Sequence, residues 1–127
     1  YIDDAPPGPF DGAACILTLH FLPEDERRRT VAEVHRGLEP GGPFVVAHHS
    51  IPQGEEEKAR WLARYAAFAR SSGIAFADDA IKMMGERLPL LSPEQDEAVL
   101  RSAGFTDVAL FYAGFTFRGW VAYRASA

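Results

Sequence analysis

The stretch Phe10–Ser50, FDGAACILTLHFLPEDERRRTVAEVHRGLEPGGPFVVAHHS, decides the fold. Gly12–Leu19 is a near-continuous apolar run, the pattern of a parallel strand covered on both faces. Pro23 then opens a helix. Glu24, Asp25 and Glu26 follow in its first turn, where carboxylates meet the positive end of the helix dipole. Val31, Val34 and Leu38 recur on one helical face. Glu39-Pro40-Gly41-Gly42 stops that helix, and Phe44–His48 reads as a second buried strand. Strand, helix and strand in one sheet form a right-handed crossover. Ligands of such sheets bind outside the carboxyl ends of the strands. Here those ends carry Leu19-His20-Phe21 and His48-His49-Ser50.

Working outward, Tyr1–Pro9 is rich in Asp and Pro and reads as an extended entry loop. After the Pro52-Gln53-Gly54 break, a helix is expected over Gln53–Ser72, with Trp61, Leu62, Tyr65, Phe68 and Ala69 on one face. A shorter helix is expected over Ala77–Glu86, with Ile81 and Met84 inward. These two helices interrupt the strand–helix alternation, so residues 53–87 read as an insertion. An insertion after a strand's carboxyl end falls over the ligand crevice, as a substrate cap. The plainer alternative is a helical pair that only packs or dimerises. Ser92-Pro93-Glu94-Gln95 starts the next helix with a capping box, and Gly104 ends it. Strands Phe105–Tyr112 and Phe115–Tyr123 flank Ala113-Gly114, and so short a loop makes them antiparallel neighbours. The order is β-α-β-(α-α)-α-β-β. The Gly12–Leu19 strand carries no edge protection such as an inward Lys or a Pro. It is therefore expected to be central, with its second neighbour supplied from upstream of Tyr1 or from another chain.

At 127 residues the chain is one domain or a piece of one. A net charge of −5 disfavours nonspecific nucleic-acid binding, which needs a basic surface. Cys15 is the only cysteine, so no intramolecular disulfide forms, and a cytoplasmic setting is expected. No apolar run approaches the ~18 residues needed to span a membrane, so no membrane partner is expected.

The chemistry-bearing residues cluster at the strand ends. His20 either lines a crevice or braces the strand–helix turn. His48 and His49 are adjacent on a strand and point to opposite faces, so only one can enter a given pocket, as a base or a hydrogen-bonding group. No third ligand joins the histidines, so no metal is expected. Ser50 lacks a G-x-S-x-G setting and does not read as a hydrolase nucleophile. Arg27-Arg28-Arg29 reads as a solvated helix face. No glycine-rich phosphate loop is present.

The segments DAPPGPFDGAACILTLHFL, EVHRGLEPGGPFVVAHH and AGFTDVALFY, in this order, resemble the C-terminal half of a class I S-adenosylmethionine-dependent methyltransferase. The likeness covers nearly the whole chain. It implies a Rossmann-like α/β fold, its C-terminal part only, with a mixed sheet whose last strand is antiparallel. The glycine-rich cofactor half would lie before Tyr1. S-adenosylmethionine is the implied cofactor. Tyr1 and Ile2 would flank its adenine, and Leu17, Thr18 and Leu19 would line its methionine end, with His20 beside them. A small-molecule acceptor would sit between His48, His49 and the cap helix carrying Trp61 and Tyr65. The implied partners are that acceptor and the N-terminal half, with a homodimer as the alternative. Within the superfamily the chain is similar to the carboxy-S-adenosylmethionine synthase group, which serves tRNA wobble-uridine modification. It differs at Ile16, where that group has Asn, and near Met83, where it uses an Arg. The readings are methyl transfer to a small molecule, a noncatalytic binding or dimerisation module, or that synthase.

Overall fold

In the computed structural model, which describes residues 2–75 and 77–126, the apolar run after Gly12 is split in two. β1 (Ala13–Ile16) is extended, and Leu17 then takes φ 58. That left-handed conformation is incompatible with continuing a strand. The chain leaves the sheet and makes a 3-10 turn over Leu19–Phe21. This corrects the expected strand to Leu19, and it drives the Leu19 side chain into the core at 2% exposure.

Helix α1 (Glu24–Gly37) keeps the acidic first turn read from the sequence. β2 (Pro43–His49) returns parallel to β1, with Ala13 opposite Phe44 and Ile16 opposite Ala47. Then come α2 (Glu55–Ser71), α3 (Ala77–Arg87), α4 (Pro93–Ser102), β3 (Phe105–Gly114) and β4 (Phe117–Arg124). Ser92 and Gln95 form the expected reciprocal capping box of α4. β4 begins two residues later than expected because Phe115 takes φ 52 in the turn.

The strands lie in the order β1-β2-β4-β3, with β4 antiparallel to both neighbours. One face of the sheet carries Phe44, Val46, Trp120 and Ala122. These residues form the main core with Leu19, Val31, Leu38, Leu91, Val99, Leu100 and Phe105 from the turns, α1, α4 and β3. On the other face Ala14, Ile16 and Tyr123 are exposed. Among the described residues β1 pairs only with β2, and its other edge is left without a strand partner within this chain.

The Arg27-Arg28-Arg29 reading also needs correction. Arg27 is fully buried, whereas Arg29 is an exposed partner of Asp3. Arg27 precedes Val31 by four residues and so belongs to the inward stripe of α1.

Helices α2 and α3 have a small core of their own, Ala66, Ala69, Ala77 and Ile81, flanked by Leu62, Tyr65 and Met84. Gly85 permits their close approach, because a Cβ there would lie 2.4 Å from Leu62 Cδ1. Arg70 pairs with Asp78 across the two helices. The pair meets the sheet through aromatic and cation–π contacts at the end of β2 and the start of β4. Among the described residues no helix is long and apolar enough to cross a membrane.

Candidate functional site at the strand ends

β2 alternates in and out along its length, and this alternation separates its two terminal histidines. His48 faces the core, 2% exposed, with its ring 5.7 Å from the Trp120 ring. His49 faces the other way. Its ring stacks on Phe117 at 4.2 Å and lies 4.7 Å from the ring of His20. Sequence parity alone requires this division, and the His20 ring lies between the two, 4.7 Å from His49 and 6.3 Å, edge-on, from His48.

His48 belongs to a buried polar cluster. Arg27 Nη1 donates to Asp96 Oδ1 at 2.8 Å, and Ser50 Oγ donates to Asp96 Oδ2 at 2.6 Å. His48 Nε2 lies 3.1 Å from Asp96 Oδ1 without meeting hydrogen-bond geometry. Arg27 Nη2 donates to the carbonyls of Leu22 and Pro89. Burial pushes the Asp96 carboxyl up, but the His48 imidazole beside it, the Ser50 hydrogen bond and the adjacent Arg27 charge outweigh it and hold the group below its usual range. Ser, His and Asp are together here, yet this is no hydrolytic triad. The serine bonds the aspartate rather than the histidine, and it is fully enclosed. The cluster ties α1, β2 and α4 together beneath the site.

On the other side lie His20 and His49, themselves 4% and 6% exposed. The backbone N–H of His49 donates to His20 Nδ1 at 3.0 Å. An acceptor nitrogen carries no proton, so neutral His20 holds its proton on Nε2. His49 Nδ1 is 2.8 Å from the Thr116 hydroxyl. Burial, then the neighbouring imidazoles, lowers His20 and His49 each to about 4. Both rings are neutral at neutral pH. Leu17 and Thr18 are exposed next to them, with the Leu17 N–H donating to Ala47 O at 2.7 Å. Leu19, grouped with them on the family pattern, turns its side chain into the core instead.

The α2 residues Trp61 and Tyr65 stand over this end. The Tyr65 ring lies 5.6 Å from both His49 and Phe117. Trp61 is flanked by the guanidinium carbons of Arg64 and Arg118, at 4.6 and 4.8 Å from its ring centre. Sequence reading missed Arg118 and Thr116, and β4's pairing of Arg118 with His48 and Phe117 with His49 brings them in. It also missed Asp96, although Asp96 precedes Val99 by three residues on the inward face of α4.

Two expected residues do not join the group. Tyr1 lies outside the described residues. Ile2 lines a cleft of about 480 Å³ at the amino end of β1, with Pro6, Phe10, Ala13 and Val34. The walls of that cleft are mainly apolar, and no histidine is among the residues that line it. Convergent polar groups mark a site more than volume does, and they lie at the carboxyl ends. Among the described residues no group of three or more His, Cys, Asp or Glu could hold a metal ion.

The two imidazoles give a stability prediction. Their folded values lie below the ordinary 6.5, so the unfolded chain binds more protons between 6.5 and about 4. Their contribution is full above 6.5 and falls as pH drops toward about 4. The first ring to be protonated should cost about 3 kcal/mol. Urea melts at a series of pH values check this, and a midpoint unchanged down to pH ~4.5 would contradict it.

No protein-family model matches the chain. It is 32% identical over 112 residues to the carboxy-S-adenosyl-L-methionine synthase of Chromohalobacter salexigens, covering 85% of this chain and 41% of the relative. It is 28% identical over 120 residues to that of Shewanella amazonensis, covering 91% and 49%. The chain thus spans about half the length, or less, of these curated relatives. Among solved structures, the S-adenosylmethionine-dependent methyltransferase SibL superposes with a TM-score of 0.67 at 18% identity, over 98% of this chain and 33% of that one. Human N-acetylserotonin methyltransferase, in complex with SAM, superposes with a TM-score of 0.67 at 16% identity, over 98% and 32%. The chain has the fold of the C-terminal half of Rossmann-like S-adenosylmethionine-dependent methyltransferases and is similar in sequence to carboxy-S-adenosyl-L-methionine synthases.

Proposed function

We propose that the chain forms the acceptor-facing half of an S-adenosylmethionine-dependent methyltransferase that acts on a small molecule in the cytoplasm. The observation that carries this reading is the meeting of Leu17, Thr18, His20 and His49 at the carboxyl ends of β1 and β2, under the α2 residues Trp61 and Tyr65. The chemistry of these residues suits a sulfonium cofactor. Its positive charge would be opposed by imidazolium, and burial keeps both rings neutral. When bound, S-adenosylmethionine supplies an electrophilic methyl group. Such transfer depends on in-line positioning and exclusion of water more than on acid–base groups, so a short inventory of polar side chains suffices.

In this reading Leu17 and Thr18 line the methionine end of the cofactor, and Leu19 contributes only its backbone. His49, held by Thr116 and Phe117, accepts a hydrogen bond or a proton from the acceptor. His48 acts from behind, through Asp96 and the strand end. Residues 53–87 form the cap, and Trp61 and Tyr65 contact the acceptor. The remaining cofactor contacts come from an N-terminal half, and a homodimer of the chain is the alternative partner.

The sequence likeness favours a second reading, synthesis of carboxy-S-adenosylmethionine, the reaction for which those relatives are named. Ile16 and Met83 stand against it, at positions where that group resembles Asn and Arg. Calorimetry of S-adenosylhomocysteine on this chain and on the chain extended at its amino end tests the main reading. Binding by the extended chain is expected. Binding by neither would favour a noncatalytic module on the same fold.

A further inference from the structure

Two arginines are buried in this protein with opposite surroundings, Arg27 fully and Arg118 with its guanidinium edge still reaching solvent. Arg27 has Asp96 as its counter-charge. Arg118 is 9% exposed, and among the described residues no carboxylate comes within ion-pair reach of it. Its Nη1 donates to the carbonyls of Phe115 and Phe117, at 2.7 and 2.8 Å. Those bonds fasten the turn before β4 but neutralise nothing. Burial pushes its pKa down, with no neighbouring charge to offset the cost. Enclosing a cation without a counter-ion is expensive, and the expense is recovered when an anion arrives. A guanidinium also offers two parallel N–H groups in a planar fork that fits a carboxylate, and here Nε and Nη2 are left over.

The position matches a ligand role. Arg118 is the cross-strand partner of His48, at the end of β2. Trp61 of α2 lies against its guanidinium at 4.8 Å and fixes its plane. One turn along α2, Tyr65 reaches His49 and Phe117. Arg118 thus shares the inward face of β4 with Trp120, while His49 and Phe117 lie on the other face, and α2 reaches both through Trp61 and Tyr65.

We propose that Arg118 is the anion-recognition residue of the acceptor pocket, and that the acceptor is a small molecule with an aromatic or similarly flat apolar body and a carboxylate. The carboxylate pairs with the Arg118 fork, and the body lies along the α2 edge at Trp61, next to the guanidinium. The assignment of this ligand as the methyl acceptor rests on the methyltransferase reading. The anion seat itself does not.

Benzoate and benzamide share shape and differ in charge, so they serve as probes of the 127-residue chain. Benzoate should bind about tenfold or more tightly than benzamide by calorimetry, and Arg118→Gln should erase that difference. Arg118→Lys should restore part of it, as a point charge without the fork. If the variants fail to fold, the Arg118 Nε–H resonance of the unmodified chain should shift with benzoate and stay still with benzamide. Equal affinity for the two probes, or a benzoate preference that survives in folded Arg118→Gln, would overturn the proposal. So would an Arg118 resonance indifferent to benzoate. None of these results depends on S-adenosylhomocysteine, whose failure to bind the extended chain would remove the methyltransferase reading alone.

Discussion

Asp96→Ala should destabilise the folded chain by about 3–5 kcal/mol, the usual result of removing one partner from a buried ion pair. Asp96 is the only acid that touches Arg27, His48 and Ser50 among the described residues. Its loss leaves a fully enclosed guanidinium with only the carbonyls of Leu22 and Pro89, and it frees the Ser50 hydroxyl from its 2.6 Å bond. Domains of this size are stable by about 5–15 kcal/mol in total, so the variant should lie close to unfolding. Urea unfolding followed by Trp fluorescence measures the effect, with an expected midpoint shift of about 2 M for a slope near 2 kcal/mol/M. Arg27→Met combined with Asp96→Leu should recover most of the loss, because the penalty lies in the unpaired charge and not in the missing attraction. A cost below about 1 kcal/mol for Asp96→Ala would mean that the cluster is hydrated in solution.

His49→Ala, placed in the extended chain, should lower the rate of methyl transfer by about 10²–10⁴-fold if the acceptor surrenders a proton. S-adenosylhomocysteine affinity should stay within about threefold, because the His49 ring packs against Tyr65 and Phe117 on the acceptor side. The pH profile separates a base from a packing residue. His49 is held at about 4, so the wild-type rate should stay level from neutral pH down to roughly 5 and then fall as the ring takes up a proton. The acid limb should vanish in the variant. His48→Gln is the contrast, because His48 is enclosed behind the strand with Asp96. Its effect should be on stability, with a rate per folded molecule close to wild type. A His49→Ala rate within a few-fold of wild type would assign His49 to packing.

The sequence spelled out much of this architecture through local signals. The acidic first turn of α1, the Ser92 capping box, the Gly104 helix stop and the short link between β3 and β4 are each set by neighbouring residues. The opposite facing of His48 and His49 followed from strand parity. Nonlocal packing hid the rest. A run such as ILTLHF looks alike whether it stays extended or turns at Leu17, because the left-handed turn is set by contacts with β2. Arg27 sat in a run of three arginines, and only its register with Val31 hinted that it pointed inward. Asp96, 69 residues further on, gave no sequence sign that it was the partner. Arg118 and Thr116 enter the site through a strand pairing that no local pattern encodes.

The cleft at the amino end of β1 and the histidine-bearing carboxyl ends of β1 and β2 compete to be the ligand site, and amide chemical-shift mapping decides between them. S-adenosylhomocysteine would be titrated into the labelled extended chain. The account predicts that the largest shifts fall on Leu17–Phe21 and on His49 and Ser50, with the His20 and His49 imidazoles moving together. Shifts confined to Pro6–Phe10 and Val34–Leu38, around the cleft of about 480 Å³ at the amino end of the strand, would contradict it.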